Sequence, residues 1–201
     1  MALPVPDDNR VYGRREYWDA RFAKEESYDW LGTYADVRPL LRDALRPTDR
    51  ILLIGCGNST LSADLYDDGF TQLTNIDYSA VVIDTMRAKH AEARPAMKWE
   101  CMNMLALTFE DGAFDVVLDK AAMDALCVDE GDVWNPVENV RRDVHTLCRG
   151  IHRCAYMVVR HDARACFHRA LSGGLAVGQS TDYQCFPMLI FSMSVMMHAE
   201  S

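Results

Sequence analysis

The sequence predicts an α/β protein with a Rossmann-like, mostly parallel sheet of seven strands, the last antiparallel, and helices on both faces. Three observations predict it. The apolar run Ile51-Leu-Leu-Ile54 enters the turn Gly55-Cys-Gly57, a helix-like segment follows, and a second short strand ends on Asp77, 22 residues after Gly55. Short apolar runs then alternate with helical patterns, which is how a parallel sheet covered on both faces reads. The final two apolar runs lie too close together for a helical crossover, so they pair antiparallel.

The elements follow in order. Residues Met1 to about Val11 read as a disordered leader, and Tyr12 to Ser201 as a single domain. Trp18 and Phe22 stand four apart on one face of a short helix from Arg15 to Lys24. Tyr28-Asp-Trp30 follows in a loop. Asp36 caps a helix through Leu45, with Pro39 in its first turn. The first strand is Ile51–Ile54. Ser59 caps the next helix, which stops at Gly69. Leu73–Ile76 forms the second strand, Ser79 opens a helix, and Met97–Cys101 and Phe114–Leu118 are the third and fourth strands. A helix from about Pro136 to Leu147 leads to a fifth strand, Cys154–Val159. A helix from Asp162 to Ala170, then strands at Leu175–Gln179 and Met188–Met197, complete the pattern.

Composition narrows the function classes. A chain of 201 residues makes one domain able to bury roughly 70% of its unfolded surface. No apolar run approaches the ~18 residues of a membrane span, and the start lacks a signal-peptide pattern. The seven cysteines are scattered and never form a C-x-x-C pair, which points to a reduced, cytoplasmic setting and away from a zinc site. The net charge of −9 argues against a general nucleic-acid binder and suits a small molecule or a basic protein.

Strand ends at the carboxyl edge are where an open sheet holds its ligand. Gly55 and Gly57 allow a sharp turn and a close backbone approach, and Asp77 can accept both hydroxyl hydrogen bonds of a ribose. Thr60 stands where a dinucleotide fingerprint needs its third glycine, and no Lys follows the turn as in a phosphate-cradling loop. The turn therefore suits a nucleoside without phosphates, and S-adenosylmethionine fits. A tight strand-to-helix connection with no ligand is the bland alternative. After the third strand, Asn103 has the donor and acceptor to pair with an adenine edge, and Met102 and Met104 can sandwich the ring. On spacing alone the methionines read as core filling. After the fourth strand, Asp119, Lys120 and Asp124 place charges at the site mouth, or in a solvated loop.

Arg15-Glu-Tyr-Trp-Asp-Ala-Arg-Phe22, Tyr28-Asp-Trp30, Leu52-Leu-Ile-Gly-Cys-Gly-Asn-Ser59, Ile76-Asp-Tyr-Ser79, Phe114-Asp-Val-Val-Leu-Asp-Lys120 and Met123-Asp-Ala-Leu126 together resemble one group of class I, seven-β-strand methyltransferases. These are the methyltransferase-like protein-lysine methyltransferases related to the enzymes that modify translation elongation factor 1-alpha. The resemblance covers about Tyr12 to Leu126. It implies that Trp18, Phe22 and Trp30 close over S-adenosylmethionine, that Gly55 contacts it, and that Asp77 and Tyr78 hold ribose and adenine. It further implies that Asn103 and Met104 flank the adenine and that Lys120 lies beside the methionine part. The sequence departs from the family at Ala121-Ala122, where Gly-Thr is usual, and at Arg149-Gly150, where a Pro-Gly-Gly turn is expected.

The expected function is methyl transfer to a lysine of a basic protein, with elongation factor 1-alpha as the resemblance-based acceptor. Asp119 and Asp124 are the candidates to orient the amine and take its proton, although helical structure after Asp119 would turn Asp124 away. A small-molecule methyltransferase, an aminopropyltransferase, and a cofactor-binding interaction module without turnover are the alternatives.

Overall fold

The computed structural model describes residues 5–128 and 137–155. The strands expected at Leu175–Gln179 and Met188–Met197, the helix at Asp162–Ala170, and the fifth strand beyond Ala155 lie outside the described residues. Four strands are described: β1 (Ile51–Ile54), β2 (Leu73–Asp77), β3 (Lys98–Cys101) and β4 (Val116–Asp119). All pair in parallel in the order β3-β2-β1-β4. Because β2 lies on one side of β1 and β4 on the other, the connections diverge at β1. That divergence opens a crevice at the carboxyl edge.

The β1 run is apolar throughout because both faces of the sheet are covered, and its residues alternate between them. Ile51 and Leu53 pack with Leu65, Ile83 and Met86 on one face. Leu52 and Ile54 pack with Leu147 and Ile151 on the other. The first face is covered by α2 (Tyr34–Ala44), α3 (Leu61–Asp67) and α4 (Ala80–His90); the second is covered by α6 (Glu138–Cys154). Ser79 caps α4, accepting from the Val82 N–H, and Gly69 ends α3 at φ +103°. There Gly69 N–H donates to Tyr66 O and Phe70 N–H to Leu65 O, the paired bonds of a Schellman stop.

Three expectations shift. Ordered chain begins ahead of Tyr12, because Asn9–Gly13 forms a 3₁₀ helix capped by the Asp8 carboxylate. Thr33, not Asp36, is the N-cap of α2; Asp36 sits three residues in and accepts from the Thr33 N–H at 2.8 Å, the reach-back half of a capping box. Pro39 therefore falls inside the helix, where it cannot donate to the Ala35 carbonyl. Ser59 does cap α3: its hydroxyl accepts from the Leu61 N–H at 3.1 Å, and Thr60 between them is already in the helical region. The long helix runs past Leu147 to Cys154 because Val140, Leu147, Ile151 and Cys154 make one continuous buried stripe that outweighs Gly150. At its end Ala155 bridges in parallel to Phe114.

Candidate active site

A cavity of about 1520 Å³ opens at the carboxyl ends of β1, β2 and β4. Its floor is the turn after β1. Gly55 and Gly57 adopt φ of +54° and +50°, the left-handed region that favours glycine. At Gly55 the close neighbour is protein: a Cβ there would stand 2.3 Å from the Ala122 Cβ at the start of α5 (Ala122–Leu126). Gly55 thus lets α5 press against the turn, and Gly57 faces the Phe22 ring.

Asp77 ends β2 and is 5% exposed. Its carboxylate accepts from the Gly57 N–H at 3.0 Å and the Ser79 N–H at 2.9 Å. Burial raises its pKa to about 6, against these hydrogen bonds, which lower it. A carboxylate has about four lone-pair sites, so Asp77, which lines the cavity, keeps acceptor capacity for a ligand. Tyr78 lines the same wall, its hydroxyl pKa pushed up by burial and by Asp77, with the Arg15 guanidinium 6.0 Å from the ring centre. Asn103 and Met104 also line the cavity, following β3, whose end lies beside that of β2. The Asn103 side-chain oxygen accepts from Leu105 N–H at 2.9 Å, so what it offers a ligand is the amide NH₂. The Cys56 thiol, also on the wall, is pushed well up by burial and by Asp77, which rules out an activated thiolate.

The roof is aromatic. Trp18 and Phe22, on α1 (Arg15–Phe22), stack at 5.6 Å, and Trp30 meets Trp18 edge-on at 5.8 Å. The Trp18 indole N–H donates to Tyr12 O at 2.6 Å. Beneath them the buried Arg21 pairs with Glu25 at 2.8 Å and carries the rings of Tyr28 and Trp30 at 5.0 and 5.1 Å. Asp29 accepts from the hydroxyls of Ser59 and Thr60 and from Lys120 at 3.1 Å. Burial opposes ionisation of Asp29, but Ser59 and Lys120 outweigh it and hold its carboxyl below the usual range. Lys120 lines the cavity, yet its ammonium is turned to Asp29 and to the carbonyls of Trp30 and Gly32.

The structure thus gathers Trp18, Phe22, Trp30, Gly55, Gly57, Asp77, Tyr78, Asn103, Met104, Lys120 and Asp124 around one cavity. It does not place Asp119 at the mouth. Successive strand residues point to opposite faces, so where Lys120 faces the cavity Asp119 turns beneath α5. It is 1% exposed, and its carboxylate caps that helix through the N–H groups of Ala122 (2.9 Å) and Met123 (3.0 Å). Burial lifts its pKa to about 7. The sequence reading missed Asp29, noticed only for its aromatic neighbours. It also missed the buried Arg21–Glu25 pair, whose i,i+4 spacing was the available signal, and Asp19, which accepts from the Ser79 hydroxyl and ties α1 to the end of β2.

Residues 51–144 match the family described as "Methyltransferase domain". Two solved structures share the fold. One comes from work on conversion of a disulfide bond into a thioacetal group during echinomycin biosynthesis (23% identical, TM-score 0.52, 71% of this chain and 57% of that one). The other is Haemonchus contortus phosphoethanolamine N-methyltransferase 1 in complex with phosphoethanolamine and S-adenosylhomocysteine (13%, TM-score 0.51, 73% and 30%). The sheet order, the glycine turn and this match define a class I methyltransferase fold. In sequence the chain is similar to eEF1A lysine methyltransferases. EEF1A lysine methyltransferase 4 of Mus musculus is 44% identical over 158 residues, and that of Bos taurus 40% over 158 residues. Each alignment takes in 77% of this chain, and the chain spans 60% of each relative's length. The eEF1A lysine and N-terminal methyltransferase of Homo sapiens is 40% identical over 128 residues, 63% of this chain and 18% of that protein.

Proposed function

We propose that this chain binds S-adenosylmethionine in the cavity above β1, β2 and β4 and transfers its methyl group to a lysine side chain of a protein, translation elongation factor 1-alpha. The observation that carries this reading is Asp77: a buried carboxylate, fixed by the glycine turn, that faces a cavity roofed by Trp18, Phe22 and Trp30. In this reading Asp77 accepts from the ribose hydroxyls, the Asn103 amide and Tyr78 meet the adenine, and Met104 packs on its ring. Gly55 and Gly57 shape the turn whose Gly57 N–H holds the Asp77 carboxylate in place. The acceptor is chosen from the names of the relatives and from the net charge of −9, which favours encounter with a basic protein over nucleic acid. A cytoplasmic setting belongs to the same reading; among the described residues no helix is long and apolar enough to cross a membrane.

When bound, S-adenosylmethionine supplies a methyl group on a positively charged sulfur. That carbon would pass to an uncharged lysine nitrogen in one in-line displacement, with the carbon–sulfur bond broken and its electron pair left on sulfur. The chain's own work is alignment at ~3–3.5 Å and exclusion of water by the aromatic roof. A lysine reacts only uncharged, from an ordinary pKa of ~10.4. Asp124, on the cavity wall, orients the arriving amine, and its proton passes to that carboxylate or to solvent. Incubating the protein with tritiated S-adenosylmethionine and cell extract tests this. Label on one dominant protein band is expected; label on small amines or nucleic acid, or no label, contradicts it.

A further inference from the structure

We propose that Asp29 and Lys120 form a positioning pair that clamps the 28–32 loop over the cavity, so that Lys120 acts on a bound nucleoside through Trp30 rather than by touching it. This deepens the cofactor-binding reading above and rests on it. The Lys120 ammonium has three donors, and three acceptors of one loop surround it: Asp29 Oδ1 at 3.1 Å, Trp30 O at 2.9 Å and Gly32 O at 3.3 Å. Leu31 between those carbonyls is held at φ +61° and Gly32 at +116°. A left-handed Leu is strained, and such strain persists only where surrounding contacts enforce it. The carbonyls of Trp30 and Gly32 that flank Leu31 both converge on the same ammonium.

Asp29 completes the fastening. The same carboxylate that takes Lys120 also accepts from the Ser59 and Thr60 hydroxyls, just past the glycine turn. The side chains of Lys120 and Asp29 are 12% and 14% exposed. The pair therefore ties the loop to the ends of β1 and β4, the two strands that flank the crevice. Tyr28, Trp30 and Leu31 of this loop all line the cavity. A largely buried pair loses more when one partner is removed than the pair itself contributes, because the other charge is left uncompensated.

The test uses two probes that differ only in the amino-acid end: S-adenosylhomocysteine and 5′-methylthioadenosine, which lacks it. Wild-type binding of both by calorimetry establishes the nucleoside site; if neither binds, the cofactor reading fails before the clamp is tested. Given binding, Lys120→Met and Asp29→Asn should each weaken both probes by about the same factor, at least tenfold. Combined with Trp30→Ala, neither should weaken binding much further than Trp30→Ala alone. A loss confined to S-adenosylhomocysteine would mean that Lys120 contacts the amino-acid end directly and would overturn the proposal, as would unchanged affinity for both. Thermal unfolding checks folding. If Lys120→Met does not fold, Lys120→Arg and Asp29→Asn carry the same comparison, since Arg keeps the charge but cannot reproduce the three-acceptor cage of a compact ammonium.

Discussion

The N–H of Gly57 donates to the carboxylate of Asp77 at 3.0 Å, joining the turn after β1 to the end of β2. One side chain thereby shapes the glycine turn and presents its remaining acceptor capacity to the cavity. The charge state of Asp77 matters to both tasks.

Asp77→Asn should weaken S-adenosylhomocysteine binding by about 1.5–3 kcal/mol, the loss of a charged acceptor. The wild-type affinity should also fall in acid. Burial raises the Asp77 pKa from 3.8 to about 6, so the ionised, better acceptor dominates above that pH and is lost below it. Calorimetry across this window should show a decline in the wild type and a flat profile in Asp77→Asn. Equal profiles would contradict the assignment.

Gly55→Ala should be strongly destabilising, since its Cβ would fall 2.3 Å from the Ala122 Cβ at φ +54°. Overpacking together with left-handed strain predicts a loss of about 2–4 kcal/mol in urea unfolding. Adding Ala122→Gly removes the clash but not the strain, so it should restore part of the loss. No restoration would mean that α5 is not what makes Gly55 necessary.

Ala121 lies at φ +74° immediately before α5. Relief of that conformation in Ala121→Gly should outweigh the added freedom of the unfolded chain and stabilise the protein by about 1 kcal/mol. The denaturation midpoint should rise; a fall would show that the methyl group of Ala121 contributes packing that the backbone strain does not cancel.

Asp119 and Asp124 should separate. Asp119→Asn should leave methyl transfer largely intact, because Asp119 caps α5 instead of facing the cavity. Its pKa is raised by burial from 3.8 to about 7, so its contribution to stability is full below the ordinary value and lost as pH rises through 7. Wild type should therefore gain stability relative to Asp119→Asn as pH falls from 7 toward 4. Asp124→Asn should slow transfer about ten- to a hundredfold with S-adenosylhomocysteine affinity kept. Loss of transfer in Asp119→Asn at unchanged stability would reverse these roles.

The sheet was legible wherever a short apolar run met a glycine or an acid. Ile51–Ile54 matched to the residue, and the Gly55 turn and Asp77 fell where spacing put them. Helix ends were less legible: Thr33 and Asp36 can each cap, and the start of α2 is settled by their capping box, in which Asp36 at the third position reaches back to the Thr33 N–H. Asp119 was misplaced because the register of β4 by one residue sets which of Asp119 and Lys120 faces the cavity. The Asp29–Lys120 contact spans 91 residues of sequence and leaves no periodic trace.

The most direct measurement is peptide mass spectrometry of purified elongation factor 1-alpha after incubation with this chain and S-adenosylmethionine. Methyl groups should accumulate on a single lysine, vanish when that lysine is replaced by arginine, and be strongly reduced with the Asp77→Asn protein. Unmodified elongation factor in the presence of a chain that binds the cofactor, or methyl groups on residues other than lysine, would contradict the account.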